Sequence, residues 1–443
     1  MHALKCMKIC EEKKLRNCFR FSFWRSILVI LIFLMNNLSK AFVVCGLIVL
    51  FVWLFAWARN SGRILLVGKG RKPLVFLSNQ SKPMFYFAHW KYGISAAINT
   101  GASYKCNKDK SRPQREVLIG SDGGEFAIDW FQTKDKTDLP ENAPIVIFSH
   151  GINGGSSEPP LQRFALRCVR KLGWRAVCVI FRSCCGTTIT TPTTYYAGYT
   201  DDLHIALKEI QSRYPDAPIA LVGYSMGGNV VAKYLGERKS QFIQSRKPAH
   251  LLSGEPIPPN VLCAAAICCP FNLKAVDHLV HPRHLTPVGS RMFHLLQKQG
   301  KIVTESPRYK EFLQQPFRTS TAVDHYFTIH TFGFPDTDTM YDESSSCHYL
   351  DGIEVPMLFI STKNDPASIY KAFPKKEIEA AGDNVAAIVS PGGAHLGMFG
   401  VFDTKWTFDE EMLVKYLQFW FDRWENKCVE KDEMKVRQHA HAN

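Results

Sequence analysis

Between residues 116 and 425 the chain alternates short, near-continuous apolar runs with longer stretches in which apolar residues recur at helical spacing. The apolar runs are Ile145–Phe148, Ala176–Phe181, Ile219–Val222, Ala264–Cys269, Met357–Ile360 and Ala386–Val389. Helices are expected near 160–172, 200–213, 226–237 and 409–425. Strands apolar on both faces, alternating with helices, are the signature of a mostly parallel sheet covered on both sides. Two β-rich runs, Glu116–Gly120 and Glu125–Phe131, flank Ser121-Asp-Gly-Gly124 and read as an antiparallel hairpin at the start. The expected fold class is therefore α/β. Residues 271–350 break the alternation and are rich in His, Pro, Phe and charge; they read as a cap inserted over the C-terminal strand ends, where such sheets bind ligands. Residues 426–443 are polar and are expected to form an unstructured tail.

Upstream, Ala41–Ala58 is an uncharged apolar 18-mer bracketed by Lys40 and Arg59. As a helix it would span about 27 Å, close to the hydrocarbon thickness of a bilayer. It reads as a single transmembrane signal anchor after a basic segment at 1–40, with 59–115 as a linker to the domain at 116–425. Ile27–Met35 is too short to cross alone. The chain's net charge of +14 belongs mostly to this region: residues 1–72 hold thirteen Lys and Arg against Glu11 and Glu12, leaving +3 for the rest. A basic excess flanking an apolar span argues for a membrane, in the endoplasmic reticulum or another endomembrane, and against nucleic acid. Basic residues on both sides leave the orientation open. The 14 cysteines have no zinc-ligand spacing, so neither a metal nor a cofactor is expected.

The chemistry concentrates at Leu221-Val-Gly-Tyr-Ser225-Met-Gly-Gly228, an apolar strand running through Gly-x-Ser-x-Gly into a helix. Such a turn strains the serine and exposes its hydroxyl, and only glycines at 223 and 227 relieve the crowding. Ser225 is thus a candidate nucleophile. A serine of this kind needs an acid and a histidine on loops after later strands. Asp365 follows Met357–Ile360, and His395 follows Ala386–Val389 on a glycine-rich loop. Asn364 or Asp351 remains an alternative acid, and fourteen other histidines compete with His395, though none follows the last strand. The strand ending at Ser149 leads into His150-Gly-Ile-Asn-Gly-Gly155, a loop suited to an oxyanion hole; the backbone N–H groups of Ile152 and Met226 are the candidate donors. His150 is expected to shape this loop by hydrogen bonding.

Residues 116–425 resemble the AB hydrolase superfamily, in the branch of membrane-anchored α/β-hydrolase-domain proteins and yeast medium-chain fatty acid ethyl ester synthases/esterases. The resemblance is carried by Asp122-Gly-Gly with Asp129-Trp130, Ser149-His-Gly-Ile-Asn-Gly-Gly-Ser156 and Thr191-Pro-Thr-Thr-Tyr-Tyr-Ala-Gly-Tyr-Thr-Asp-Asp202. It continues through Gly223–Gly236, Asn364-Asp-Pro366 and His395-Leu-Gly397. Arg182-Ser-Cys-Cys-Gly186 and the extra Ala394 depart from the family pattern. The resemblance implies an α/β-hydrolase fold and a serine hydrolase of carboxylic esters, with lipid or medium- and short-chain acyl substrates. Acyl transfer to an alcohol and non-catalytic ligand binding are the alternatives. No histidine has an aspartate five residues on, so the HxxxxD acyltransferase pattern is absent. Phe293, Leu295, Phe312, Phe317, Phe327 and Phe332 in the cap are expected to cover an acyl chain, and removal of residues 1–72 is expected to spare turnover of soluble esters.

Overall fold

The fold is that of a computed structural model, which describes residues 44–51, 64–69, 71–74, 113–132, 139–246, 255–280, 288–295, 308–393, 395–398 and 407–441. The chain divides into Met1–Arg59 and Asn60–Asn443. In the first unit residues 44–51 are helical, with Val44, Ile48, Val49 and Phe51 exposed. The rest of 41–58 lies outside the described residues, among which no helix is long and apolar enough to cross a membrane.

The second unit is built on a nine-stranded sheet in the order β1-β9-β8-β7-β6-β4-β5-β3-β2. Its strands are β1 (Leu65–Val67), β2 (Gln114–Ile119), β3 (Glu125–Trp130), β4 (Ile145–Ser149), β5 (Arg175–Ile180), β6 (Ile219–Tyr224), β7 (Val261–Ile267), β8 (Met357–Thr362) and β9 (Val385–Ser390). Strands β5, β4, β6, β7, β8 and β9 are mutually parallel. The hairpin β2–β3 joins antiparallel to β5. Every residue of β4, β6, β8 and β9 is buried, as their unbroken apolar runs require when helices cover both faces. By contrast, β2 alternates and leaves Val117 and Ile119 exposed at the sheet edge.

The covering helices are α1 (Pro159–Arg167), continued by a π-helical turn at Cys168–Leu172, α2 (Asp201–Arg213), α3 (Met226–Gly236) and α4 (Phe408–His441). Two boundaries differ from the sequence expectation. The segment 59–115 is not only a linker, because Leu65–Val67 pairs antiparallel with β9, Leu65 opposite Val389, and buries Val67 in the core. Three residues are too few to show a strand period. At the other end α4 continues to His441, although an unstructured tail was expected after 425. Residues 427–441 are polar but contain no Gly or Pro and are rich in strong helix formers, so helix propensity carries the backbone past 425. The cap is helical, with short helices at Leu273–Leu279, 288–295, Tyr309–Leu313, Ser320–Val323 and Thr337–Ser344.

Candidate active site

Ser225 is the one residue between β6 and α3, with φ 53° and ψ −121°. Its N–H donates to the Ile267 carbonyl at 2.8 Å, and its own carbonyl accepts the Gly228 N–H at 2.9 Å, so the left-handed backbone is pinned from both sides. The flanking glycines are obligatory for different reasons. A Cβ on Gly223 would lie 2.3 Å from the Gly227 carbonyl oxygen, and one on Gly227 would lie 2.2 Å from that of Ser149. The turn is therefore wedged against the end of β4 as well as against itself.

Asp365 follows β8 and His395 follows β9, both at the C-terminal edge of the sheet and both buried. His395 Nδ1 lies 2.9 and 2.8 Å from the two Asp365 carboxylate oxygens, and its Nε2 lies 2.9 Å from Ser225 Oγ. With Nδ1–H donating to the carboxylate, Nε2 is left to accept the serine hydroxyl proton. Asp365 Oδ1 also accepts the N–H groups of Ala367 and Ser368, each at 2.8 Å. Burial disfavours charge on both groups. The pairing wins: Asp365 is held below its usual range, while the Asp365 carboxylate raises His395 above the ordinary histidine value. The structure brings Ser225, Asp365 and His395 together in one relay. Asp351, an alternative acid, sits in a separate turn and accepts the Gln241 N–H. Asn364 precedes Asp365 in the same loop, and it is the Asp365 carboxylate that meets His395.

The loop after β4 stands beside this relay. Phe181 N–H donates to His150 Nε2 at 3.1 Å, so His150 carries its proton on Nδ1, which donates to the Gly151 carbonyl at 2.7 Å. Burial pushes the His150 pKa down to about 4, and the ring stays neutral. Within the loop, Gly151 N–H donates to Glu158 Oε2 at 2.9 Å and Asn153 N–H to the Tyr195 hydroxyl at 3.1 Å. Between them, Ile152 N–H meets no acceptor among the described residues. Met226 N–H opens α3, where no intrahelical carbonyl is available. Both expected donors are thus left without an acceptor among the described residues.

The cap reaches the same loop. Asn153 Nδ2 donates to the Val288 carbonyl at 3.0 Å, and Ile152 packs against a cap cluster of Met292, Phe293, Phe312 and Val323 with Ile189. Phe293, Phe312 and Phe327 pack chiefly on one another, 4.5 Å between the first two ring centres, and so form the cap's own core. Phe317 is exposed, Phe332 joins a separate cluster around Tyr196, and Leu295 packs on the main core. The six apolar cap residues therefore do not line one acyl channel. A pocket beside the loop is walled instead by Asn153, Ser183, Thr194, Tyr195, Met292, Val323 and Thr328. Ser183 is the contribution of the divergent 182–186 stretch, whose Arg182 points away into a buried bidentate pair with Asp202.

Two residues near the relay carry no sequence signal. Cys268, left-handed at φ 52°, directly follows β7, and its Sγ accepts the Leu396 N–H at 3.4 Å. Its thiol lies within 4.8 Å of the Asp365 and His395 ligand atoms, but those two already hold each other, and burial pushes the thiol pKa well up, away from the thiolate a metal needs. Glu158, at the head of α1, is the other.

Residues 144–245 match the family model described as alpha/beta hydrolase fold. The chain is similar to the embryogenesis-associated protein EMB8 of Picea glauca, 27% identical with 80% of this chain and 76% of that protein covered. It is also similar to the phospholipase ABHD3 of Homo sapiens, 26% identical over 69% and 71% of the two chains, and to the monoacylglycerol lipase of Saccharomyces cerevisiae, 24% identical over 60% and 57%. With its serine turn between β6 and α3 and its acid and histidine after β8 and β9, the chain has the α/β-hydrolase fold and is similar to proteins of that superfamily.

Proposed function

We propose that this carboxylic ester hydrolase cleaves acyl esters of lipids through an acyl-enzyme on Ser225. The observation that carries the reading is the 2.9 Å contact of Ser225 Oγ with a histidine whose far nitrogen is held by a buried carboxylate. His395 Nε2 takes the hydroxyl proton as Ser225 Oγ attacks the ester carbonyl, and Asp365 orients the ring and stabilises its cation. The N–H groups of Ile152 and Met226 receive the oxyanion, the second aided by the α3 N-terminus. Collapse expels the alkoxide, which His395 protonates. Water then attacks the acyl carbon, giving its proton to His395, and the acid leaves as Ser225 regains its hydrogen.

A lipid substrate is supported by the relatives named phospholipase and monoacylglycerol lipase and by the apolar segment 41–58, which we assign as the anchor of a membrane-tethered enzyme. An alcohol in place of water would yield an ester, the reaction of an acyltransferase. The test is labelling of the full chain with a fluorophosphonate: wild type reacts and Ser225→Ala does not. Folded wild type that stays unlabelled would sink the reading in favour of a non-catalytic binding protein. Turnover of a medium-chain ester with and without ethanol, reading free acid against ethyl ester, separates hydrolysis from transfer.

A further inference from the structure

Glu158 occupies the N-cap position of α1, yet its side chain does not cap that helix. It turns to the oxyanion loop, where Oε2 accepts the Gly151 N–H at 2.9 Å. The loop glycines are shaped around it. A Cβ on Gly154 would lie 2.7 Å from the Glu158 carboxyl carbon, and one on Gly151 would lie 2.8 Å from Oε1 and 3.5 Å from Ser225 Cβ. Carboxylate and nucleophile therefore flank the same glycine. A glycine sets few limits on its own dihedrals, so the orientation of the peptide that follows Gly151, which bears the Ile152 N–H, depends on what holds Gly151 from outside.

We propose that Glu158 is a positioning residue for the hydrolase: by holding the Gly151 N–H it aims the Ile152 N–H at the oxyanion, and its charge steadies the imidazolium of His395 formed in the same step. This rests on the serine-hydrolase reading of Ser225. Three elements face the carboxylate with polar or charged groups. The oxyanion loop offers the Gly151 N–H, the loop after β9 offers His395, and the cap helix at 288–295 offers Arg291. Cys178 on β5 and Cys184 after it also feel its charge, but burial pushes both thiols up and keeps them neutral. Burial raises the Glu158 pKa to about 7 against the pull of those three partners, so its charge is present above neutrality and lost below. Its influence on His395 has the matching sign, raising the histidine.

The test compares full-length wild type, Glu158→Gln and Glu158→Ala on p-nitrophenyl butyrate across pH, with fluorophosphonate labelling of each and urea midpoints to establish folding. An amide oxygen still accepts the Gly151 N–H, so E158Q keeps kcat within about threefold, whereas E158A loses about tenfold to a hundredfold in kcat with KM little changed, part of what one oxyanion donor is worth. In both variants the acid limb of kcat/KM moves to lower pH, because the imidazolium loses its anionic neighbour; a merely structural glutamate would not move it. Should E158A fail to fold, the limb of E158Q decides. Wild type that is labelled and turns over, with the variants matching it in kcat and acid limb, overturns this inference alone. Wild type that does neither overturns the hydrolase reading and this one with it.

Discussion

A residue held at φ 53° costs about 1–3 kcal/mol and persists only where its surroundings overdetermine it. At Ser225 the surroundings are two backbone hydrogen bonds and two glycines that cannot take a Cβ. Gly227→Ala is accordingly expected to destabilise by about 3 kcal/mol, because backbone at Ser149 must move, and to lower kcat/KM more than any distant substitution of equal cost. Urea unfolding and short-chain ester turnover measure the two effects; an unchanged kcat/KM would refute the wedge. The relay makes a second prediction. In the proposed mechanism His395 must be neutral to accept the serine proton, and Asp365 raises its pKa above the ordinary 6.5, so kcat/KM is expected to fall with acid at a midpoint above that value. Asp365→Asn removes the partner that fixes the tautomer, and a loss of about 10⁴ in kcat is expected, with Ser225 still present for slow phosphonylation. These three residues are legible in sequence because each follows an apolar strand run in a fixed order. Glu158 is not, since a lone carboxylate before two prolines looks like any helix start, and only the glycines at 151 and 154 hint at what they make room for.

Elements carry the next layer of constraint. Helix α1 presents Arg163 to Glu410 on α4 in a buried pair at 2.5 Å, both side chains 1% exposed. Truncating Arg163 leaves the Glu410 carboxyl, which burial already raises to about 7, in the core without its cation, so Arg163→Ala is expected to cost about 3 kcal/mol in unfolding free energy while leaving the relay residues untouched. A midpoint within experimental error of wild type would mean that the pair contributes nothing. Strand and helix types were readable from periodicity because the central strands are apolar on both faces and the helices between them are long. The cap was not readable in the same way. Its helices are short, and its aromatic residues, which in sequence resemble a lipid-facing wall, are mostly spent on holding the cap together around Phe312. Composition cannot distinguish an apolar side chain that lines a pocket from one that builds the lid above it.

At the scale of the whole molecule, the boundary of the catalytic unit decides which truncations are informative. Periodicity places its start at residue 116, yet β1 at Leu65–Val67 completes the sheet beyond β9, the strand that delivers His395. Removing residues 1–72 would strip β1, exposing the open edge of β9 and unseating the strand beside the histidine loop. A chain beginning at Asn60 retains that pairing and the entire second unit. It is therefore expected to match the full chain in kcat/KM on a soluble short-chain ester and in urea midpoint, whereas a chain beginning at residue 73 is expected to unfold at lower urea and to aggregate. If 41–58 anchors the enzyme, the Asn60 form also loses sedimentation with phospholipid vesicles and turns over vesicle-borne esters more slowly than the full chain. Equal rates on soluble and vesicle substrates in both forms would remove the anchor from the mechanism. Equal stability of the 60 and 73 forms would show that the short strand is ornamental to the sheet.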